Sequence, residues 1–216
     1  MLRMERNPGV ERQRPVDHNR ENTMSIPVRV PEADVDPQFP ERWSPRAFSS
    51  QPVAEADLHS LFEAARWAPS AANSQPWLFL VAVTPEDHER FLALLNPGNQ
   101  IWAREAPVLL FVLTRLRSAS GRAMEWGAFD AGAAWMALAL QARKLGLYAH
   151  AMGGFDREGI YARLNIPAEE YQALAAVAVG YYGDPARLSE ELQQRERPSP
   201  RKPLAEVFHY GALGEE

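Results

Sequence analysis

The hydrophobic positions of the chain fall into stretches with helical spacing and shorter stretches typical of strands. Between residues 53 and 67 the apolar side chains lie three or four positions apart, which predicts an amphipathic helix that ends before Pro69. Residues 127–144 predict a longer, Ala-rich helix that stops at Gly146. This second helix is apolar nearly all round, so we expect the core or a partner to cover most of its sides.

Short apolar segments predict four strands that alternate with helices. These segments are 78–83, 108–114, 147–152 and 174–181. Residues 108–114 are apolar on both faces, which indicates a central strand. Two further helices are predicted at 85–95, with Thr84 as N-cap, and at 156–164, and Asp184 is placed to cap another. Strands separated by helices indicate a layered α+β or α/β domain.

The two ends of the chain lack this periodicity. Residues 1–40 are rich in Arg, Glu, Asp and Pro, and we interpret them as a tail that is disordered or draped over a domain spanning 41–216. Met24 precedes a plausible alternative start. Residues 195–203 are charged and proline-containing and should be extended, whereas 204–210 can form a strand or an arm.

Composition excludes several classes of function. The 216 residues carry a formal charge of −5, which argues against a general nucleic-acid binder. There is no cysteine, which excludes disulfides and thiolate chemistry and fits a cytoplasmic protein. The longest apolar run contains Asp130 and is too short to span a membrane, and no signal-peptide h-region is present. The five histidines show neither metal-ligand spacing nor a catalytic triad pattern.

Two polar blocks flank the helix predicted at 53–67. The first block offers two guanidiniums and a hydroxyl that can bind an anion, from Arg42, Arg46 and Ser44. A solvated basic turn is the alternative interpretation. In the second, small residues surround Asn73 and Gln75, whose amides suit a planar heterocycle. An ordinary polar loop is the alternative for this block.

Two smaller features come later in the chain. Gly153 and Gly154 follow the third predicted strand and can present bare backbone N–H groups to a flat ligand, although a strand-to-helix turn has the same composition. Arg201 and Lys202 form a pair of cations that can close over a phosphate or remain solvated.

Together, these features resemble the nitroreductase family of FMN enzymes from about residue 41 to 207. The Arg-x-Ser-x-Arg block, the Pro-Ser-x-x-Asn-Ser-Gln-Pro-Trp block, Gly-Gly-Phe and a late Arg occur in the family's order. The resemblance implies an α+β nitroreductase-like fold, with a central, mainly antiparallel sheet flanked by helices. It also implies a domain-swapped homodimer with FMN at the subunit interface, the 127–144 helix in that interface and a C-terminal arm that crosses to the partner.

The resemblance assigns roles to individual residues. Arg42 and Ser44 match positions that contact the FMN phosphate and ribityl chain, and Arg201 matches a phosphate-binding cation. Arg46 matches a cation near the flavin N1 and C2 carbonyl, where a positive charge stabilises the anionic reduced flavin. The Gly154 N–H matches the donor that points at N5.

Ser70 and Asn73 match FMN-contacting positions of the second block, which partly reaches the partner's flavin. The same blocks add five further candidate cofactor-binding residues: Trp43, Pro69, Ala71, Gln75 and Gly153. No separate role is assigned to Trp43. Gly153 stands where many members have an acidic residue, and Ser199 stands where some have a lysine, for which Lys202 is a candidate replacement.

The implied function is ping-pong hydride transfer from NAD(P)H through flavin N5 to a nitroaromatic, quinone or similar small acceptor. No protein side chain is predicted to be catalytic, since the flavin carries the chemistry. Dehalogenation, oxidation of peptide-derived rings, enone reduction, flavin breakdown and a non-catalytic FMN-binding or purely structural dimer remain alternatives. Residues 102–126 are candidates for an apolar lid over the flavin or, equally, a surface loop. The physiological acceptor and the choice between NADH and NADPH stay open.

Overall fold

The computed structural model describes residues 27–118 and 120–212. The greater part of the predicted tail, including the alternative start at Met24, lies outside these residues. None of the helices within the described ranges is long and apolar enough to cross a membrane.

A four-stranded antiparallel sheet forms the centre of the domain, with strand order β1-β2-β4-β3. The strands are β1 Trp77–Val81, β2 Val108–Arg115, β3 Leu147–Met152 and β4 Tyr171–Tyr181. β2 is buried along all but its last residue and lies between β1 and β4, which confirms the predicted central strand. β4 begins three residues before its predicted start at Leu174, because Tyr171 and Gln172 continue the pairing with β2.

Helices connect and cover the strands. Those in the described residues are α1 Gln38–Glu41, α2 Glu55–Arg66, α3 Pro85–Leu92, α4 Pro97–Ala103, α5 Gly127–Lys144, α6 Gly159–Arg163 and α7 Glu190–Gln194. The predicted bounds of α5 are confirmed, and Gly146 ends it with a φ of 78°. Thr84 caps α3 by accepting a hydrogen bond from the Asp87 N–H at 3.1 Å. Asp184 caps only a single 3-10 turn, Pro185–Arg187.

Three helices, α1, α4 and α7, were not predicted from the sequence. The segment 204–210 contains the 3-10 turn Leu204–Glu206 and no strand, so the strand alternative for it is wrong.

Two apolar clusters fill the two faces of the sheet. One face carries an aromatic cluster that includes Phe48, Trp102 and Phe111. On the other face, α2 and α5 pack together, and small side chains such as Ala134 and Ala142 let the two helices approach closely. The fold is therefore α+β, with helices on both sides of an antiparallel sheet, as the resemblance implied.

Candidate functional site

Arginine side chains from both ends of the described chain line one small cavity of about 180 Å³. We call them the arginine cluster: Arg29, Arg42, Arg46, Arg195, Arg197 and Arg201. Trp43, Ser44, His150 and Ser199 complete the lining, which contains no acidic residue from the described ranges. A concentration of cations around a polar cavity indicates an anion-binding site.

Mutual repulsion makes the arginine cluster unfavourable without an anion. Burial, followed by the positive charge of Arg201, lowers the pKa of Arg42 from its ordinary value. Burial also lowers the pKa of Arg46, with a further contribution from Arg195 that the nearby Glu196 opposes. Arginine does not lose its proton at ordinary pH, so the lowered pKa values mean that holding these charges in the cluster costs free energy. A bound anion would relieve this cost.

The backbone that carries Arg46 is held by residues distant in the sequence. Both Glu196 carboxylate oxygens accept the Arg46 N–H, at 2.8 and 3.0 Å, and Oε1 also accepts the Ala47 N–H at 2.8 Å. The Gly183 N–H donates to the Ala47 carbonyl at 2.8 Å. These bonds fix the position from which the Arg46 side chain extends.

His150 supports the same segment from the sheet side. Its Nδ1 lies 2.7 Å from the Pro45 carbonyl, which can only accept, so Nδ1 carries the proton. Burial lowers the pKa of His150 to about 4, and Arg46 and Arg42 act in the same direction while the Pro45 hydrogen bond opposes them. The ring is therefore neutral at neutral pH and adds no charge to the arginine cluster. It packs on Trp102 with ring centroids 4.5 Å apart.

Trp43 anchors the first block in the core. Its ring makes edge contacts with Tyr148 and Tyr182, at centroid distances of 6.0 and 5.6 Å. Its indole Nε1 is buried and has no hydrogen-bond partner among the described residues, although the side chain borders the arginine cavity. An unpaired buried donor beside cations is a further feature that suits an anion.

The second block is an exposed loop in a strained conformation. Ala72, Asn73 and Gln75 have φ angles of 50°, 53° and 47°, which non-glycine residues rarely adopt. The Ser70 hydroxyl accepts the Gln75 N–H at 3.0 Å. The buried carboxylate of Asp130, on α5, accepts the Ala71 N–H at 3.0 Å. These hydrogen bonds hold the loop in a fixed shape at the protein surface.

The two glycines after β3 differ in what surrounds them. The Gly154 carbonyl accepts the Asn96 N–H and the Asn99 side-chain amide, each at 3.0 Å. A Cβ on Gly154 would lie 2.9 Å from the Asn99 amide nitrogen, so only glycine fits without displacing that side chain. A Cβ on Gly153 would meet only Arg157, at 4.0 Å.

The structure therefore brings together some of the predicted site residues and separates others. Those that line the arginine cavity are Arg42, Trp43, Ser44, Arg46 and Arg201. Those that do not are Pro69, Ser70, Ala71, Asn73, Gln75, Gly153 and Gly154. Lys202, the candidate replacement for a lysine at position 199, lies outside the lining and pairs with the exposed Glu206 at 3.8 Å.

Five residues of this site were missed by the sequence analysis: Arg29, His150, Arg195, Glu196 and Arg197. Only the high density of arginine after residue 194 could have suggested Arg195 and Arg197. No cluster of three histidine or acidic side chains able to hold a metal ion occurs in the parts of the chain that the structure describes.

Comparison with known proteins connects this geometry to a family. The sequence model of the nitroreductase family matches residues 40–96 and 90–181. A solved structure described as an oxidoreductase containing FMN is 43% identical, with a TM-score of 0.83 over 89% of this chain and 100% of that one. A Rhodopseudomonas palustris (strain TIE-1) protein, provisionally named NADH dehydrogenase/NAD(P)H nitroreductase, is 27% identical over 178 residues, which are 74% of this chain and 90% of that protein.

The fold is also shared with more distant proteins. A nitroreductase family protein from Streptococcus pneumoniae TIGR4 is 23% identical and has a TM-score of 0.65, over 81% of this chain and 98% of that one.

Proposed function

The chain belongs to the nitroreductase family, as the sequence resemblance predicted, and we propose that it is a homodimeric, FMN-dependent oxidoreductase whose arginine cluster binds the FMN phosphate. The observation that carries this proposal is the cavity lined by six arginines and no described acidic residue. The similar solved structure that contains FMN supports the choice of cofactor.

The size of the cavity fits the phosphate end of the cofactor. Pockets that enclose a drug-sized ligand have volumes of about 300–1,000 Å³. The arginine cavity, at about 180 Å³, is smaller and takes a phosphate with part of the ribityl chain. The ring system then lies outside this cavity, on surfaces supplied by other parts of the protein.

The protein's contribution to reactivity is charge and orientation. When bound, FMN supplies the redox centre that accepts hydride from NAD(P)H and passes it to a second substrate. Arg46 provides a fixed cation for the reduced ring, because Glu196 and the Gly183 N–H hold its backbone segment. Asn96 and Asn99 donate to the Gly154 carbonyl and hold this residue in place, and the Gly154 N–H would be the donor to the flavin N5.

A second subunit completes the site. The strained loop at residues 70–75 does not border the arginine cavity of its own chain, so we assign it to the flavin of the partner. An incompletely covered apolar stripe on α5 provides a dimer surface: Phe129, Gly132, Met136 and Leu140. A Cβ on Gly132 would meet nothing within 4 Å, although a mid-helix glycine is destabilising by about 1 kcal/mol relative to alanine. Close approach of a partner helix accounts for this glycine.

The donor and acceptor follow from family membership. We propose NAD(P)H as donor, in agreement with the name of the Rhodopseudomonas palustris relative, and a nitroaromatic, quinone or similar planar acceptor. Donor and acceptor then use the same exposed side of the cofactor in turn. Steady-state kinetics should therefore give parallel double-reciprocal lines, and converging lines would contradict the ping-pong order.

FMN titration of two variants tests the phosphate assignment. Arg42→Ala and Arg201→Ala should each weaken FMN affinity by about tenfold or more, because each removes a charge-assisted hydrogen bond. Arg90→Ala is the matched control, since Arg90 is an exposed residue of α3 paired with Asp87. Unchanged FMN affinity in both cluster variants would overturn the assignment.

A further inference from the structure

Arg29 belongs to the arginine cluster although it lies on the N-terminal segment, which we define as residues 27–37. This segment precedes the residues that match the family model, which begin at residue 40. The Arg29 guanidinium donates to the Arg42 carbonyl. Its Nε is buried and has no hydrogen-bond partner in the described chain. Arg29 thus reaches into the cavity with donor capacity left unused.

At position 199 the cavity has a neutral side chain where some family members have a lysine. Ser199 lines the cavity with a neutral hydroxyl, and Lys202 pairs with Glu206 instead of pointing into the lining. Arg29 stands in the same lining and carries the positive charge that Ser199 lacks. A guanidinium can also donate two parallel hydrogen bonds to a phosphate, which an ammonium group cannot.

Apart from Arg29, the described contacts of the N-terminal segment lie at the protein surface. Glu32 accepts the Leu204 N–H at 3.2 Å with an exposed carboxylate. Val35 and Phe39 border a groove of about 590 Å³ whose other wall includes Leu204 and Val207, and all four side chains remain exposed. Burial lowers the pKa of Arg29, and repulsion from Arg201 and Arg42 lowers it further. The charges of Arg201 and Arg42 therefore oppose the position that Arg29 occupies in the lining.

We propose that Arg29 is an additional phosphate-binding residue and that a bound phosphate fastens the N-terminal segment across the arginine cluster. This inference rests on the proposed function in so far as the phosphate is that of FMN. A phosphate converts the repulsion between Arg29, Arg42 and Arg201 into shared attraction. Cofactor binding and docking of the segment are then coupled, so that each strengthens the other.

The test compares FMN with riboflavin, which has the same ring and ribityl chain but no phosphate. Arg29→Gln should weaken FMN affinity by about 10-fold to 100-fold while riboflavin affinity changes less than about twofold. Arg29→Lys, which keeps the charge but loses the bidentate geometry, should lie between the wild type and Arg29→Gln. Arg90→Gln is the matched control for loss of an exposed arginine. Equal effects on both ligands, or no effect on FMN, would overturn the proposal.

Hydrogen exchange of the wild-type protein provides a test without substitution. Amides of residues 27–37 should gain protection with FMN and with inorganic phosphate, and none with riboflavin. Exchange that is the same with all three probes would contradict the coupling. If Arg42→Ala weakens FMN binding and Arg29→Gln does not, only this inference fails. If neither variant does, the phosphate assignment of the arginine cluster fails as well.

Discussion

Glu196 accepts the backbone N–H of Arg46 with both carboxylate oxygens, at 2.8 and 3.0 Å, across 150 residues of chain. Burial raises the pKa of Glu196, while the hydrogen bonds from Ala47 and Arg46 and the charge of Arg46 oppose this rise. Through these hydrogen bonds, the Glu196 carboxylate joins residues 195–201 to the first block. It keeps the two parts of the arginine cluster in one arrangement.

Removing this acceptor should disturb both stability and cofactor binding. Glu196→Ala leaves the Arg46 and Ala47 N–H groups without a partner, and we expect a loss of about 1–3 kcal/mol in the free energy of unfolding. FMN affinity should also fall, because the Arg46 backbone is released. Glu196→Gln retains an acceptor oxygen and should be intermediate. Urea denaturation and FMN titration measure both effects.

The control for this substitution is Glu190→Ala, which removes an exposed carboxylate from the first turn of α7. If Glu196→Ala and Glu190→Ala behave alike in both measurements, Glu196 does not position Arg46.

The adjacent glycines after β3 should differ in their tolerance of a methyl group. Gly154→Ala displaces the Asn99 side chain and breaks its hydrogen bond to the Gly154 carbonyl, which should cost about 1 kcal/mol of stability and weaken FMN binding. Gly153→Ala should stay within about 0.5 kcal/mol of the wild type, since its Cβ has room. Thermal denaturation with and without FMN measures the stability and the FMN binding of both variants. Equal effects of Gly154→Ala and Gly153→Ala would refute the assignment of Gly154.

His150 should make stability depend on pH. Its pKa is about 4 in the folded protein against an ordinary value of 6.5, so the unfolded chain binds more protons between these values. The stabilisation from neutral His150 is complete above about pH 6.5 and is lost as the pH falls toward 4. Lowering the pH from 7.5 to 4.5 should remove roughly 2–3 kcal/mol through this group.

The contribution of His150 is isolated by comparing urea unfolding at the two pH values. His150→Gln keeps an N–H donor for the Pro45 carbonyl but does not titrate. The free energy of unfolding of this variant should therefore fall less on acidification, by roughly 2–3 kcal/mol. His59→Gln, at an exposed position of α2, should retain the wild-type pH dependence. An unchanged pH dependence in His150→Gln would show that the burial of His150 is not the cause.

The apolar stripe of α5 predicts the oligomeric state. Light scattering of the wild type should give twice the chain mass of 24.2 kDa. Phe129→Glu combined with Met136→Glu should give monomers and release FMN, because charges would be buried in the interface. Val83→Glu is the control, since Val83 is 79% exposed and lies outside the stripe. A wild-type monomer that retains FMN would refute the shared site.

Residues that end a helix or strand explain which element boundaries could be predicted from the sequence. The bounds of α5 and β3 agree with the prediction because Gly146 adopts a positive φ between them and ends the helix. The helix predicted at 85–95 ends at Leu92 in the structure. Leu94 and Leu95 continue its apolar pattern but are buried in the following turn, and α4 begins immediately afterwards at Pro97. Hydrophobicity alone does not distinguish these two environments.

The site could be predicted only where its residues belong to short sequence motifs. Arg42, Ser44, Arg46 and Arg201 were identified because they match a family pattern, and they do share a cavity. Arg29 lines that cavity and contacts Arg42 across 13 residues of chain, and Glu196 holds the Arg46 backbone across 150 residues. No local sequence pattern encodes either contact. The burial that lowers the pKa of His150 is likewise a property of the folded chain.

FMN-dependent oxidoreductase activity is tested by the visible absorption spectrum of the purified, FMN-reconstituted protein, recorded anaerobically before and after addition of NADH or NADPH. We expect a protein-bound flavin spectrum that bleaches on addition of at least one nicotinamide and recovers when a quinone or nitroaromatic compound is added. A colourless protein that does not take up FMN, or a bound flavin that neither nicotinamide reduces, would contradict it.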